Sequence, residues 1–342
     1  MLRLLIDDKI PYIRQLANRL GECFYMPGSA IGSADVRDVD VLIVRTRTRC
    51  DRALLEGSRV RFIATATIGY DHLDVDYLRE AGIAWENCPG CNASSVAQYV
   101  ESVLILLSRT GRIDLQRSTI GVVGVGHVGS QVCARAAALG LSVLRCDPPR
   151  ARSEGGYFVS LARLQAEADI ITFHTPLTFS GEDATYHLAG DAFFAGLKKP
   201  VVLINTSRGE VIDTTSLLRA MEEGTVSQAV IDTWENEPDI NIPLLQRVFI
   251  GTPHIAGYSA DGKARATQMV LEAVARYYGF SDLRFDVAPP RLNYSEEDVP
   301  QQTLERKLFL YDPRRDSDAL KSCPADFERL RADYPLRRER YD

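Results

Sequence analysis

The chain has 342 residues, which is long enough for two domains and a small third segment. With 45% hydrophobic and 25% charged residues it has an ordinary globular composition, and its net charge of −6 argues against a general nucleic-acid binder. No apolar run approaches the length of a membrane span, and Asp7 and Asp8 interrupt the first one, so we expect neither a signal peptide nor a membrane anchor.

The first quarter of the chain alternates between short apolar runs and helical patterns. The runs predict strands at residues 2–6, 39–46, 61–67 and 83–88, and a helical pattern, YIRQLANRL, follows the first of them. This alternation predicts a parallel sheet with helices on both faces. The apolar period of residues 96–108 then predicts a buried connecting helix.

A second alternation fills the middle of the chain. It begins at STIGVVGVG and predicts further strands at 142–147, 169–175, 201–207, 228–234 and 248–254, which suits a complete doubly wound domain. Residues 260–278 predict a helix that returns to pack on the first domain. The proline-rich stretch after Gly279 is typical of a linker, and the last 32 residues mix eight basic with eight acidic residues. Such an end is too short to hold a core alone, so it packs on its parent domain or a second subunit, or stays partly mobile.

The seven cysteines, an odd number scattered along the chain, do not indicate a disulfide framework. Cys88 and Cys91 form a C-x-x-C pair, which could be a redox pair or half of a metal site. No second such pair and no nearby pair of histidines completes a zinc site. We therefore predict reduced thiols, a cytoplasmic location and no bound metal.

A glycine motif at the start of the second alternation predicts a dinucleotide site. It reads Gly124-Val125-Gly126-His127-Val128-Gly129, follows a strand and opens a helix, and Asp147 ends the next strand. The pyrophosphate would lie on the N–H groups of the helix, and Asp147 would accept the ribose hydroxyls and repel a 2′-phosphate. The motif therefore predicts NAD rather than NADP, although Arg150 tempers the preference. The alternative is a glycine turn followed by an incidental aspartate.

Three polar residues at neighbouring strand ends predict acid–base chemistry. Arg208 follows the strand at 201–207, Glu237 follows Asp232 at the end of the next one, and His254 follows the last. Oxidation of a 2-hydroxy acid needs a base for the hydroxyl proton, a carboxylate to orient that base, and a cation for the substrate carboxylate. Singly, these residues could equally be a surface ion pair, a solvated charge and a strand cap. Together and beside a dinucleotide site, they indicate a dehydrogenase.

Six stretches carry a resemblance to a known family: VGVGHVG, CDPPR, TFHTPLT, INTSRGEVID, DTWENEP and GTPHIAGYSADGKARAT. They resemble the D-isomer-specific 2-hydroxyacid dehydrogenases over almost the whole chain. The resemblance implies an α/β protein of two doubly wound parallel-sheet domains. These are a flavodoxin-like substrate domain (1–95 and 256–280) and a Rossmann NAD domain (96–255), followed by a linker and a trimmed C-terminal dimerisation segment (281–342).

The resemblance also implies the roles of individual residues. It makes Arg208 and Glu237 catalytic and His254 the proton donor and acceptor. The implied cofactor contacts are Gly124, Gly126, His127, Val128, Gly129, Asp147, Thr175, Thr206, Ser207, Arg208, Asp232 and Gly257, and the implied substrate contacts are Arg45, Thr46, Thr67 and Tyr258.

Two positions depart from the family pattern. Thr46 replaces an expected serine, and Gln98 replaces an expected glutamate. Around Thr46 the sequence is rich in arginine (Arg45, Arg47 and Arg49), and in a strand these would share one face, where they could bind a phosphate or form a solvated edge.

The discriminating pieces, ATATIGYDHLD, PGCNA, HIAGY and GKARAT, resemble the branch that oxidises 4-phospho-D-erythronate with NAD in vitamin B6 biosynthesis. We therefore expect a small phosphorylated 2-hydroxy acid as substrate, a homodimer, and no nucleic-acid or membrane partner. The alternatives are another D-2-hydroxy acid (phosphoglycerate, or glycerate and hydroxypyruvate) and an NAD-sensing corepressor of the same fold.

Overall fold

A computed structural model describes residues 1–341 of the chain. These residues form two compact units. Unit 1 comprises Met1–Asn92 and Ser259–Arg291, and unit 2 comprises Ala93–Tyr258 and the residues from Leu292 onward.

The strands are β1 (Leu2–Asp7), β2 (Gly21–Met26), β3 (Val41–Val44), β4 (Phe62–Thr65), β5 (Ala84–Glu86), β6 (Thr119–Val123), β7 (Ser142–Cys146), β8 (Ile170–Phe173), β9 (Val201–Asn205), β10 (Val226–Ile231) and β11 (Ile250–Gly251). The helices are α1 (Arg14–Ala17), α2 (Arg52–Leu55), α3 (Val75–Ala81), α4 (Ala93–Arg109), α5 (His127–Ala138), α6 (Pro148–Glu154), α7 (Leu161–Glu167), α8 (Asp191–Gly196), α9 (Thr214–Glu222), α10 (Ile242–Arg247), α11 (Ala260–Tyr277), α12 (Thr303–Leu310), α13 (Arg314–Ser322) and α14 (Phe327–Ala332).

Each unit of residues 1–341 is built on one parallel sheet. Unit 1 has the strand order β2-β1-β3-β4-β5, which is the flavodoxin-like order, and unit 2 has the order β11-β10-β9-β8-β6-β7. In unit 2 the order reverses between β6 and β8, and doubly wound sheets bind ligands at such a reversal, beyond the carboxyl ends of the strands. The predicted fold class, two doubly wound parallel-sheet domains, is confirmed.

The edge of the sheet in unit 1 differs from the expectation in two places. Strand β2 was not predicted, because its sequence GECFYM contains no β-branched residue and begins with Gly and Glu, which are uncommon in strands, and its pairing with β1 outweighs these preferences. The helical pattern before it shrinks to the four residues of α1.

The arginine-rich stretch after β3 is a turn rather than a strand, since β3 ends at Val44. The expectation that Arg45, Arg47 and Arg49 share one strand face is therefore wrong. Arg49 instead pairs with Asp51, 3.0 Å away, and its side chain is 78% exposed.

The C-terminal segment, residues 303–341, contributes several apolar side chains to the core of unit 2. Leu320 and Phe327 lie in the apolar cluster on one side of the sheet, and Leu308 and Tyr311 lie in the cluster on the side of α4 and α5. The segment thus packs on its parent domain, one of the three possibilities left open by its composition. Among the described residues no helix is both long and apolar enough to cross a membrane.

Removal of the Phe327 ring should destabilise unit 2. The side chain is 1% exposed, so Phe327→Ala leaves a cavity and should lower the free energy of unfolding by about 3–5 kcal/mol. The chain has two tryptophans, Trp85 in unit 1 and Trp234 in unit 2, so Trp85→Phe leaves Trp234 fluorescence as a reporter of unit 2 alone during urea unfolding.

The control is Tyr157→Ala, because Tyr157 is an aromatic residue of unit 2 that is 82% exposed. It should change the free energy by about 0.5 kcal/mol or less. Equal midpoints for the two variants would show that the C-terminal segment is no part of the core.

Candidate active site

The turn between β6 and α5 contains three glycines, of which the fold requires two. Gly124 has φ 82°, in the left-handed region, and a Cβ there would lie 2.7 Å from the main-chain oxygen of His174. A Cβ on Gly129 would lie 2.0 Å from the main-chain oxygen of Gly124, so only glycine lets α5 begin so close to β6. A Cβ on Gly126 would meet no atom within 4 Å. Open space therefore lies at the N-terminus of α5, where His127 is exposed and Val128 half-buried.

Asp147 joins this turn to the end of β7. Its carboxylate accepts the N–H of Val125 at 2.8 Å and the N–H of Arg150 at 3.1 Å. The Arg150 guanidinium forms two bonds to Glu154, at 2.7 and 2.6 Å, and also donates to the Val125 carbonyl. Glu154 thus neutralises the charge of Arg150, the cation that could otherwise attract the 2′-phosphate of NADP. The pairing of Arg150 with Glu154 therefore favours NAD over NADP.

Thr175 supplies an independent sign of a ligand. It follows β8, and a Cβ on Gly124 would lie 2.9 Å from its methyl group. Its hydroxyl oxygen is buried and has no hydrogen-bond partner in the described residues. A buried polar atom of this kind is satisfied when a ligand or water binds. With the open space at Gly126 and the carboxylate of Asp147, the residues present fit a dinucleotide.

The end of β9 is a rigid turn that carries Thr206, Ser207 and Arg208. The Asn205 amide accepts the N–H and the hydroxyl of Ser207, at 3.1 and 2.8 Å, and donates to the Arg208 carbonyl at 2.8 Å. The Arg208 guanidinium donates to the Ser207 carbonyl at 2.8 Å. The Thr206 hydroxyl lies 3.2 Å from Nδ1 of His174. Burial of the His174 ring lowers its pKa to about 3. His174 is therefore a neutral hydrogen-bonding residue rather than an acid–base group near pH 7.

His254 and Glu237 are in direct contact. Nδ1 of the ring lies 2.8 Å from Oε2 of the carboxylate, and Oε1 accepts the N–H of Trp234 at 2.9 Å. The two residues follow β11 and β10, which are neighbours in the sheet. Burial by itself would raise the pKa of Glu237, but the hydrogen bond and charge of His254, the N–H of Trp234 and the charge of Arg331 together hold it below its ordinary value. Glu237 is therefore a carboxylate at neutral pH.

The loop that carries His254 is held by Asp232. His254 has φ 55°, a left-handed conformation that is unusual for a residue with a side chain, and its N–H donates to the Asp232 carbonyl at 2.8 Å. The Asp232 carboxylate accepts the hydroxyl of Thr252 at 2.6 Å and the N–H groups of Ile255 and Ala256 at 2.8 and 2.9 Å. Burial raises the pKa of Asp232, and these bonds oppose the shift. Predicted from the resemblance as a cofactor contact, Asp232 directs its carboxylate at the main chain of the His254 loop.

Gly257 ends the same loop. The next residue, Tyr258, contacts Arg331, which the sequence analysis did not indicate as a site residue. The Tyr258 hydroxyl accepts from Nε of Arg331 at 3.1 Å, and Nη1 of Arg331 lies 3.9 Å from Oε2 of Glu237. Arg331 belongs to α14, far along the chain, so no local pattern could have revealed it.

A second arginine of the C-terminal segment holds the loop from the other side. Arg337, 4% exposed, donates to the carbonyls of Ile255 and Ala256, both at 3.2 Å, and to the Ser95 carbonyl at 2.6 Å. Its Nε donates to Oε1 of Gln98 at 2.9 Å, and the Gln98 amide donates to the Arg338 carbonyl at 2.9 Å. Gln98, which stands where the family pattern has a glutamate, thus supports the loop through its hydrogen bond with Arg337.

The predicted substrate residues Arg45, Thr46 and Thr67 lie in unit 1, beyond the ends of β3 and β4. The Arg45 guanidinium donates to the fully buried carboxylate of Asp7 at 3.0 and 3.2 Å. Thr46 is exposed in the turn that follows, and the Thr67 hydroxyl donates to the Gly69 carbonyl at 2.8 Å.

Comparison with known proteins agrees with this geometry. Residues 102–256 match the family described as D-isomer specific 2-hydroxyacid dehydrogenase, NAD binding domain. An erythronate-4-phosphate dehydrogenase of Bacteroides fragilis is 54% identical over 99% of this chain and 97% of its own length, and one of Cronobacter sakazakii is 46% identical over 99% and 92%. The chain belongs to the D-isomer specific 2-hydroxyacid dehydrogenase family.

A solved relative extends the comparison to three dimensions. The D-lactate dehydrogenase of Aquifex aeolicus, complexed with NAD and lactic acid, superimposes with a TM-score of 0.65 at 25% identity, over 84% of this chain and 100% of its own. As a member of this dehydrogenase family the protein is an oxidoreductase that uses NAD. The predictions of the family, the enzyme class and the cofactor are confirmed.

The two glycines of the cofactor turn should respond differently to an added methyl group. Gly126→Ala should leave the melting temperature near that of the wild type but weaken NAD binding at least tenfold, because the methyl group fills only the open space. Gly129→Ala should lower the melting temperature as well, because its Cβ would overlap the Gly124 carbonyl. Calorimetric titration with NAD and thermal unfolding without it measure the two effects, and equal NAD affinity in Gly126→Ala and wild type would place the pyrophosphate elsewhere.

Proposed function

We propose that the protein oxidises 4-phospho-D-erythronate at C2 to (R)-3-hydroxy-2-oxo-4-phosphobutanoate, with NAD as the oxidant, in the biosynthesis of pyridoxal 5′-phosphate. The contact of 2.8 Å between His254 and Glu237, beyond the strand ends of a dinucleotide-binding sheet, carries the reaction type. The identity of 54% over nearly the full length to an enzyme named for this substrate supports the substrate.

His254 is the base in this proposal. Because Glu237 accepts at Nδ1, that nitrogen carries the ring proton, and the lone pair of Nε2 is left to take the proton of the C2 hydroxyl. When bound, NAD would serve as the acceptor of the hydride, that is, of the hydrogen that leaves C2 with its electron pair. The C2–O bond becomes a carbonyl, and the imidazolium that forms is stabilised by the carboxylate of Glu237.

The binding roles follow from charge and position. We assign the substrate carboxylate and the developing 2-oxo group to Arg208, whose planar cation matches a carboxylate. The pyrophosphate is assigned to the N–H groups at the start of α5 and the ribose to Asp147. The remaining cofactor contacts are proposed as the resemblance implies them: Thr175, Thr206, Ser207, Asp232 and Gly257.

Substrate recognition is assigned to Arg45, Thr46 and Thr67 of unit 1 and to Tyr258 of unit 2. Arg45 is the cation among them, and its bonds to the buried Asp7 fix its orientation. The hydroxyls of Thr46 and Tyr258 can donate to phosphate or carboxylate oxygens, whereas the Thr67 hydroxyl, which donates to the Gly69 carbonyl, can accept from a substrate hydroxyl.

We also propose a homodimer in the cytoplasm. Large apolar side chains of the C-terminal segment are exposed, namely Leu304, Phe309 and Leu336, and these support assembly through that segment. Light scattering measures the mass of the assembly.

The cytoplasmic location is supported by the state of the Cys88 thiol. This thiol donates to the carbonyls of Thr65 and Ala266, and burial raises its pKa, which supports a reduced thiol.

Single-turnover reduction of bound NAD tests the reaction. With 4-phospho-D-erythronate, NADH absorbance should rise in one fast phase, and 3-phosphoglycerate, D-glycerate and D-lactate should react far more slowly. His254→Ala should lose about 10²–10⁴-fold in rate while NAD binds as before. A 2-oxo acid is added in parallel, so that tightly held NADH can be reoxidised.

The substrate panel separates the alternatives. A faster reaction with another acid would replace the proposed substrate with that one. Tight NAD binding with no reduction by any acid would overturn the enzymatic proposal in favour of a cofactor-sensing role.

Replacement of the orienting carboxylate should change the pH dependence. Glu237→Gln removes the charge that stabilises the imidazolium, so kcat/KM should fall by about 10²-fold and the midpoint of its acid limb should move to lower pH. Glu235→Gln is the matched control, because Glu235 forms a separate pair with His187 at 2.7 Å. An unchanged midpoint in Glu237→Gln would show that the carboxylate does not act through His254.

A further inference from the structure

Arg331 is the one residue of α14 whose side chain reaches the His254–Glu237 pair among the contacts described for this helix. Its helix is anchored by Phe327, which is 1% exposed in the core of unit 2. The Arg331 side chain is 25% exposed, whereas Arg329 on the same helix is 63% exposed and pairs with Asp326. Arg331 is therefore directed inward by the packing of α14.

The guanidinium of Arg331 touches two residues of the proposed site. Nε donates to the Tyr258 hydroxyl at 3.1 Å, with the cation 5.8 Å from the centre of the ring. Nη1 lies 3.9 Å from Oε2 of Glu237, the same oxygen that contacts Nδ1 of His254. One carboxylate oxygen thus faces both the proton-transfer residue and a fixed cation.

We propose that Arg331 is a positioning residue of the proton-transfer pair, one that orients Tyr258 and sets the charge around Glu237. The inference rests on the proposed function. A permanent cation beside Oε2 keeps Glu237 ionised and competes with the imidazolium of His254 for the same oxygen. The positive charge of Arg331 thereby opposes the formation of a second positive charge on the His254 ring.

Other charged groups near His254 and Glu237 also affect the stability of the imidazolium. Asp232, behind the His254 loop, favours the imidazolium. Glu328, on α14, and Tyr258 interact electrostatically with Arg331, and Glu328 offsets part of its charge. Arg331 is the cation that acts on the Glu237 carboxylate together with His254, so its removal has a predictable sign.

Arg331 also fixes the hydrogen bonding of Tyr258. The phenol oxygen accepts the bond from Nε, so the hydroxyl hydrogen points away from Arg331. The Tyr258 ring packs edge-on against Tyr334, with 6.1 Å between the ring centres. Two residues of the C-terminal segment therefore set the direction in which Tyr258 can donate.

Arg331→Met removes the charge and keeps the apolar stem. The midpoint of the acid limb of kcat/KM should move up by roughly half to one pH unit, because the removed charge is partly buried and only partly screened by solvent. Because the proton-transfer pair is then less well oriented in the transition state, kcat should fall roughly tenfold, whereas KM should change less than twofold. Arg331→Lys keeps a cation and should restore the midpoint, and Arg329→Met should match the wild type in all three quantities.

A second readout does not depend on turnover. The chain has five histidines, so the ring signals of the unliganded protein can be assigned by NMR with His254→Ala. The titration midpoint of the His254 signal should rise in Arg331→Met and stay near the wild-type value in Arg331→Lys and Arg329→Met.

The outcomes separate this inference from the proposed function. A wild-type protein that oxidises none of the acids would overturn the proposed function, while the NMR midpoint still decides the role of Arg331. A raised KM with unchanged midpoints would make Arg331 a substrate ligand, and unchanged midpoints with unchanged kinetics would make it a surface residue. Either of these two results overturns the positioning role.

Discussion

The conformation of the loop that carries His254 depends on the carboxylate of Asp232. It is buried at the end of β10 and accepts three hydrogen bonds, from the hydroxyl of Thr252 and the N–H groups of Ile255 and Ala256. A buried carboxylate without such donors would be strongly destabilising, so the fold and the loop conformation require each other. His254 lies between those donors in a left-handed conformation that a free loop would seldom adopt. The cost of that conformation is met by the bonds around it, and the ring is thereby directed to Glu237.

The opposite face of the same loop is held by a buried cation. Arg337 binds the carbonyls of Ile255 and Ala256, and Asp232 binds the N–H groups of the same two residues, so the two charges together hold three consecutive peptide units of the loop. Arg337 also lies over the Tyr311 ring, 3.6 Å from its centre, and is oriented by the neutral amide of Gln98. A glutamate at position 98 would add a full charge next to Arg337. The glutamine leaves the compensation to carbonyl oxygens, the aromatic ring and Asp316, which interacts electrostatically with Arg337.

Local sequence patterns predicted the parts of this arrangement that local physics determines. Runs such as those of β3 and β9 are buried throughout, and the glycine turn needs Gly124 for its positive φ and Gly129 for its close approach to the Gly124 carbonyl. The pairing of His254 with Glu237 was also foreseeable, because consecutive strands of a doubly wound sheet end side by side. Strand β2 was missed because its pairing with β1 outweighs the low strand preference of its first two residues. Arg331 and Arg337 were missed because their partners lie about 70 or more residues away and no period of 2 or 3.6 connects them.

The charged residues of the C-terminal segment have a structural role, because Arg331 and Arg337 bind Tyr258 and the carbonyls of the His254 loop. On composition alone such a segment is too polar to order itself, yet Leu320 and Phe327 complete the core of unit 2 and position the arginines that follow. The apolar residues supply the stability, and the arginines, whose burial would otherwise be costly, find oxygen acceptors on the His254 loop and on Tyr258. The order of the segment and the shape of the active-site loop are then a single cooperative property of unit 2. A segment that looks like an appendage in the sequence therefore lies, in the folded unit, directly behind His254 and Glu237, the residues proposed to transfer the proton.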